Sequence, residues 1–292
     1  VFGGIIMIID QFSQENLGII GGSGIYQMEG IEIIKEHMIE TPFGRPSDAV
    51  IEAKLSDEVF FFLARHARGH KLLPHEINYR ANVYAMKQCG VRYLLSVSAV
   101  GSLKEELPPT TFVLPDQFID WTKGQRKRTF FGDGIIAHVS TANPIDPKLQ
   151  KLAANSCEHA GVNFHVGGSY VCIEGPQFST KAESAIYRRF GASIIGMTNV
   201  PESFLAKEAG MSYATIAMVT DYDCWKEEHC TVDEIMKVMG TNNSMAHKVL
   251  LDFILKFSSN KFYVNPENKL GVLTNRDTLS TDKQEILDVL LQ

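Results

Sequence analysis

Short apolar runs that each end in a small or polar turn, separated by stretches with helical spacing, set the fold of this chain more firmly than any other feature. Leu17-Gly18-Ile19-Ile20, Val59 to Ala64, Tyr93 to Val97, Val171-Cys172-Ile173, Ser193 to Gly196 and Tyr213 to Met218 have the length and composition of buried strands. Between them, Asn78 to Gln88, Pro147 to Ala160, Thr180 to Phe190 and Pro201 to Ala209 read as helices closing on Gly90, Gly161, Gly191 and Gly210. A capping-box pattern, Thr231 to Glu234, then opens a helix of Ile235, Met236 and Val238, and Asn243 to Phe257 forms a further one. This alternation predicts an α/β fold with a largely parallel sheet. No repeat, linker or low-complexity tract divides 17–292, and 45% hydrophobic content can fill one large core, so a single domain is expected.

The chemistry gathers where the strands end, which is where open α/β sheets bind ligands. Gly21-Gly22-Ser23-Gly24 forms a glycine loop able to bring backbone close to an anion. It is not a dinucleotide fingerprint, because Gln27 stands where the third glycine belongs, and not a nucleophile elbow, because Ile25 replaces the closing glycine. Arg65-His66 closes the second strand, and Ser98 to Ser102 reads as a small-residue turn after the third. Ser23, Arg65, His66, Ser98 and the Ala99 amide are thus candidate phosphate holders. The last strand runs into Asp221-Tyr222-Asp223, two carboxylates that could hold a metal, share acid/base work or accept from a ligand's amino group. Taken alone, such a pair is more often a solvated turn. Glu174 to Ser179 presents Phe178 and Ser179 together, a ring that packs in the core or stacks on a planar base.

A formal net charge of -6 argues against a general affinity for nucleic acid or anionic membranes. The basic stretch Lys123 to Arg128 is read as a solvated loop. Cys89, Cys157, Cys172, Cys224 and Cys230 are scattered without a C-x-x-C pair, which fits a reduced compartment and no structural zinc. His66, His70 and His75 lack a metal-binding pattern, so no metal is expected. Val1 to Ile9 is apolar but too short to span a bilayer, and residues 1–16 are read as an extension outside the domain, in part from upstream sequence.

Gly21-Gly22-Ser23-Gly24, Thr41-Pro42-Phe43-Gly44, Arg65-His66, Glu174-Gly175-Pro176, Met197-Thr198, Val200-Pro201-Glu202, Ala206-Lys207-Glu208 and Thr220 to Trp225, in this order, closely resemble the S-methyl-5'-thioadenosine phosphorylases of the purine nucleoside phosphorylase superfamily. The resemblance implies a central mixed β-sheet flanked by helices, a homotrimer, no metal or organic cofactor, and cytoplasmic and nuclear location. It implies phosphorolysis of methylthioadenosine to adenine and 5-methylthioribose 1-phosphate. Carried over by position, phosphate falls to Ser23, Arg65, His66, Ser98, the Ala99 amide and Thr198. Ribose falls to Met197, and the base to Phe178, Ser179, Asp221 and Asp223. The methylthio end falls to His70, Val232 and Met236, with His138 and Leu290 from a neighbouring subunit.

Asp221, its pKa raised by burial, is then expected to serve the purine N7, while Asp223 accepts from the 6-amino group. Ser23 and Ser98 replace a common Thr, Gln177 an Arg and Gly196 an Asn, so a looser pocket that also admits adenosine is expected. The alternatives are an inosine or guanosine phosphorylase, a nicotinamide-dependent oxidoreductase built on the glycine loop, and a non-catalytic nucleoside binder.

Overall fold

The computed structural model describes residues 15–22, 24, 28–226, 232–264 and 267–292, so Ser23, Cys230 and Thr231 lie outside the described residues, as does the Val232 side chain. Strands β1 (Asn16–Gly21), β2 (Ile31–His37), β3 (Val50–Leu55), β4 (Glu58–Ala64), β5 (Val91–Ser102), β6 (Phe112–Leu114), β7 (Gln117–Trp121), β8 (Phe164–Val166), β9 (Ser169–Ile173), β10 (Ile194–Gly196) and β11 (Ser212–Asp221) form one sheet. The central pairs are parallel: β1 lies between β4 and β5, and β5 pairs with β11. The hairpins β2/β3 and β3/β4, and the pairs β5/β10 and β6/β11, are antiparallel. The sheet is therefore mixed, as the family resemblance implied, and less parallel than the strand–helix alternation alone suggested.

Successive strand residues point to opposite faces, and both faces are covered. On one, Ile19, Phe60, Phe62 and Leu95 meet α2 (Pro147–His159) and α5 (Val232–Phe257). On the other, Ile20, Phe61, Leu63 and Leu94 meet α1 (Tyr79–Gln88), α4 (Asn199–Glu208) and, beyond the short α6 (Asn268–Gly271), α7 (Thr281–Leu290). Helix α3 (Lys181–Arg189) is set by a complete capping box from Thr180 and Glu183.

Three expectations are corrected. Ser98 to Ser102 is not a turn: β5 continues through it, because small residues fit between β11 on one side and β10 on the other. The helix expected to break before Asn243 is one continuous α5 of 26 residues, since Gly240 faces open space and the inward face stays periodic across it. Leu290, expected to reach a neighbouring subunit, is fully buried in its own chain against the α1/α4 layer.

Candidate active site

The C-terminal ends of β1, β4, β5 and β11, the start of α4 and the inner face of α5 enclose one cavity of about 650 Å³. It brings together Arg65, His66, His70, Ser98, Ala99, Phe178, Ser179, Met197, Thr198, Asp221, Asp223 and Met236, residues spread over most of the chain. His138 is exposed and outside the cavity of its own chain.

At the anion corner, Arg65 is only 2% exposed. Its fork is held largely by the protein itself. Nε donates to Glu202 Oε2 at 2.7 Å, and Nη2 donates to Glu202 Oε1 at 3.0 Å and to Ser96 Oγ at 2.7 Å. Nη1 donates to the Val97 carbonyl at 3.0 Å and keeps a second hydrogen. A buried guanidinium needs such a partner, and Glu202 is tied in turn by the Tyr213 hydroxyl at 2.9 Å. Asn199 extends the network, donating to Ser96 and Tyr213 and accepting from the Ser98 hydroxyl at 3.1 Å. Thr198 makes no side-chain capping bond at the start of α4, and its hydroxyl lies beside that of Tyr170.

His66 donates through Nδ1 to the Leu72 carbonyl at 2.8 Å. Burial, with Arg65 close by, pushes its pKa down to about 4. The imidazole is therefore neutral near pH 7 and offers Nε2 as an acceptor.

At the other end, a register shift between Val219 and Asp221 turns the end of β11 beside Gly101. The Asp221 carboxylate accepts from the Thr220 hydroxyl and from the Asp223 amide, both at 2.7 Å. Burial raises the Asp223 carboxyl above its ordinary range, and the neighbouring Asp221 adds to the shift. The loop is anchored by the Trp225 indole donating to the Ser102 carbonyl at 2.8 Å and by Arg188 over its ring at 3.8 Å. Ser179 Oγ is buried beside the Tyr187 hydroxyl, and Phe178 is 76% exposed next to it. Gly196 is explained by Tyr170: a Cβ there would lie 2.0 Å from the Tyr170 hydroxyl oxygen, so an Asn has no room.

Sequence reading missed Met218, Thr220, Ile195 and the inner face of α5, where Ile235, Met239, Asn243 and His247 line the cavity. Their helical spacing was the available signal, and it becomes readable once the helix is known to be continuous. Among the described residues no group of His, Cys, Asp and Glu is placed to hold a metal, and no helix is long and apolar enough to cross a membrane.

The chain belongs to the phosphorylase superfamily, whose family model matches residues 16–255. Within it the chain falls among the S-methyl-5'-thioadenosine phosphorylases. The relative of that name from Geobacter sulfurreducens is 43% identical over 95% of this chain and 98% of its own length. A crystal structure of a methylthioadenosine phosphorylase from an Antarctic soil metagenomic library superposes with a TM-score of 0.91 at 44% identity, covering 95% of this chain and 99% of the other. The Schistosoma mansoni methylthioadenosine phosphorylase in complex with adenine superposes at 0.82 with 35% identity, covering 88% of this chain and 97% of the other. Other structures of that protein hold tubercidin or methylthioadenosine.

Proposed function

We propose that this chain is a pentosyltransferase that splits S-methyl-5'-thioadenosine with inorganic phosphate into adenine and 5-methylthioribose 1-phosphate. The observation that carries the reading is one cavity with Arg65, Ser98 and Thr198 at one end and the linked pair Asp221 and Asp223 at the other. That separation suits a phosphate approaching C1' from the face opposite the departing base. The chemistry then needs positioning and charge control, with no covalent nucleophile and no cofactor.

The two carboxyls act as one unit on the N6/N7 edge of the purine. One proton goes to N7 as negative charge develops there, and the ionised oxygen accepts from the 6-amino group. Ser179 and the Phe178 ring hold the base, and Met197 lies along the ribose. Thr198, Ser98, the Ala99 amide, Ser23 and the remaining Arg65 hydrogen take phosphate. His66, being neutral, accepts from a protonated phosphate oxygen.

His70, Val232 and Met236 take the methylthio end. Met236 is 63% exposed in the single chain, and the exposed apolar residues Ile136, Leu270 and Leu273 cluster about His138 through the Ala137–Val272 bridge. A neighbouring subunit covering the cavity mouth and lending His138, in a cytoplasmic and nuclear homotrimer of 17–292 units, accounts for both.

Asn243 and His247 give the α5 side of the cavity polar groups as well as apolar ones, which favours adenosine as a second substrate. The S. mansoni neighbour is itself described as an adenosine/methylthioadenosine phosphorylase. Base release should be measured from methylthioadenosine, adenosine and inosine in parallel. The expected order is methylthioadenosine first, adenosine next and inosine far behind, and inosine as the best substrate would overturn the reading of Asp223.

A further inference from the structure

Arg126 is 5% exposed, although the stretch Lys123 to Arg128 was expected to be a solvated loop and its other charged residues are exposed. Its Nε donates to Glu174 Oε1 at 2.6 Å, and the other oxygen of Glu174 accepts from the Lys123 amide at 2.7 Å. Nη2 donates to the carbonyls of Ile173 at 3.2 Å and Glu174 at 2.6 Å. Nη1 donates to the carbonyls of Met197 at 2.6 Å and Val200 at 2.7 Å. The Tyr79 ring covers the guanidinium, 5.3 Å from its centroid.

One buried cation thus ties the end of β9 to the segment between β10 and α4. The first leads to Phe178 and Ser179, and the second carries Met197 and Thr198, so the two walls of the cavity meet at this guanidinium. Gly175 lets them close: its φ is 66°, and a Cβ there would lie 2.5 Å from Met197 Sδ.

We infer that Arg126 is a positioning residue for catalysis: acting through Glu174 and the Met197 carbonyl, it sets the base-holding loop against the ribose- and phosphate-holding segment without touching either substrate. Carbonyls on both sides of a planar fork, with a carboxylate at its base, suit a guanidinium. A lysine ammonium brings its donors to a single point and cannot reach both walls. Displacing reacting groups by about 1 Å costs roughly 10²-fold in rate, so a loosened tie is read in turnover before it is read in folding.

The inference rests on the substrate reading above, and its test separates the two. Arg126→Lys and Glu174→Gln are compared with Lys87→Met, a stability control. Lys87 is equally enclosed at 1% exposure and donates to the Ala209 carbonyl at 2.6 Å, but it lies outside the cavity. Nucleoside and phosphate are varied independently, well below the Tm of each variant.

Arg126→Lys and Lys87→Met should both lower Tm, while only Arg126→Lys lowers kcat/KM, by about 10- to 100-fold, with both KM values raised. Glu174→Gln keeps an acceptor for Nε and should show a smaller loss of the same kind, and it decides the matter if Arg126→Lys does not fold. A folded variant whose kcat/KM falls no further than that of Lys87→Met overturns the inference. If the wild type fails to turn over methylthioadenosine, the substrate reading falls. The inference is then decided by adenine affinity in calorimetry, weakened in Arg126→Lys if it holds and unchanged if it does not.

Discussion

Asp221 Oδ1 accepts a hydrogen bond from the backbone amide of Asp223 at 2.7 Å, so the first acid shapes the turn that carries the second. Asp223 adopts φ 54°, an uncommon conformation for a non-glycine residue, and the Asp221 carboxylate is what holds it there. The pair is one device rather than two independent side chains. Asp221→Asn keeps one acceptor oxygen for the turn but cannot carry a proton to the base. It should lose turnover by about 10²- to 10⁴-fold while binding adenine within a few-fold of wild type. Single-turnover rates alongside calorimetric affinities check this, and parallel losses in both would point to a collapsed turn instead.

Asp223→Asn should change which base is accepted. An ionised carboxylate can only accept hydrogen bonds, which fits a 6-amino group, whereas an amide can also donate to a 6-oxo group. The expected result is a fall in kcat/KM for methylthioadenosine with a rise for inosine, read from the ratio of the two. A ratio that stays fixed would remove Asp223 from base reading.

Two buried groups set opposing pH slopes. His66 is held down at about 4 from an ordinary 6.5. Between those values the unfolded chain binds a proton that the folded chain does not. Stability from this group is therefore complete above pH 6.5 and lost as pH falls to 4, by about 3 kcal/mol. Glu208, buried and accepting from the Phe130 amide at 2.7 Å, is pushed up to about 7 from 4.5. Here the folded chain keeps the proton longer, so stability is lost as pH rises from 4.5 to 7, again by about 3 kcal/mol. The slopes oppose each other between 4.5 and 6.5. His66→Gln should make stability fall with rising pH across that window, and Glu208→Gln should make it rise. Urea denaturation at steps through the window measures both, and curves parallel to wild type would contradict the assignment.

Removing the partner of Arg65 should cost more than most substitutions. Glu202→Ala strands a guanidinium that is 2% exposed, and breaking a buried pair in this way costs about 3–5 kcal/mol. Chemical denaturation gives the number. A loss below about 1 kcal/mol would mean that Arg65 finds another partner.

The central strands were legible because burial on both faces leaves continuous apolar runs such as Leu17 to Ile20. Strand β2 was not, since its face is exposed and carries Glu32, Lys35 and Glu36, so no such run appears. Ser98 to Ser102 misled because small residues mark turns and also mark strands squeezed between neighbours, and only the pairing with β10 and β11 distinguishes the two. The cavity residues legible at strand ends were those with a polar type at a fixed place, such as Arg65 and Asp221. Arg126 was hidden because the carbonyls that bury it come from segments roughly 50 to 70 residues away in sequence. The raised carboxyl of Asp223 was not legible either, since the turn that buries it exists only in the fold.

The most direct test of the central claim is adenine release from S-methyl-5'-thioadenosine by the purified chain, followed with and without inorganic phosphate, with the sugar product identified by phosphorus NMR. Phosphorolysis predicts saturable dependence on phosphate and one equivalent of 5-methylthioribose 1-phosphate for each adenine released. Adenine release at the same rate without phosphate, yielding free methylthioribose, would contradict it and leave the Arg65, Ser98 and Thr198 corner without its assigned ligand.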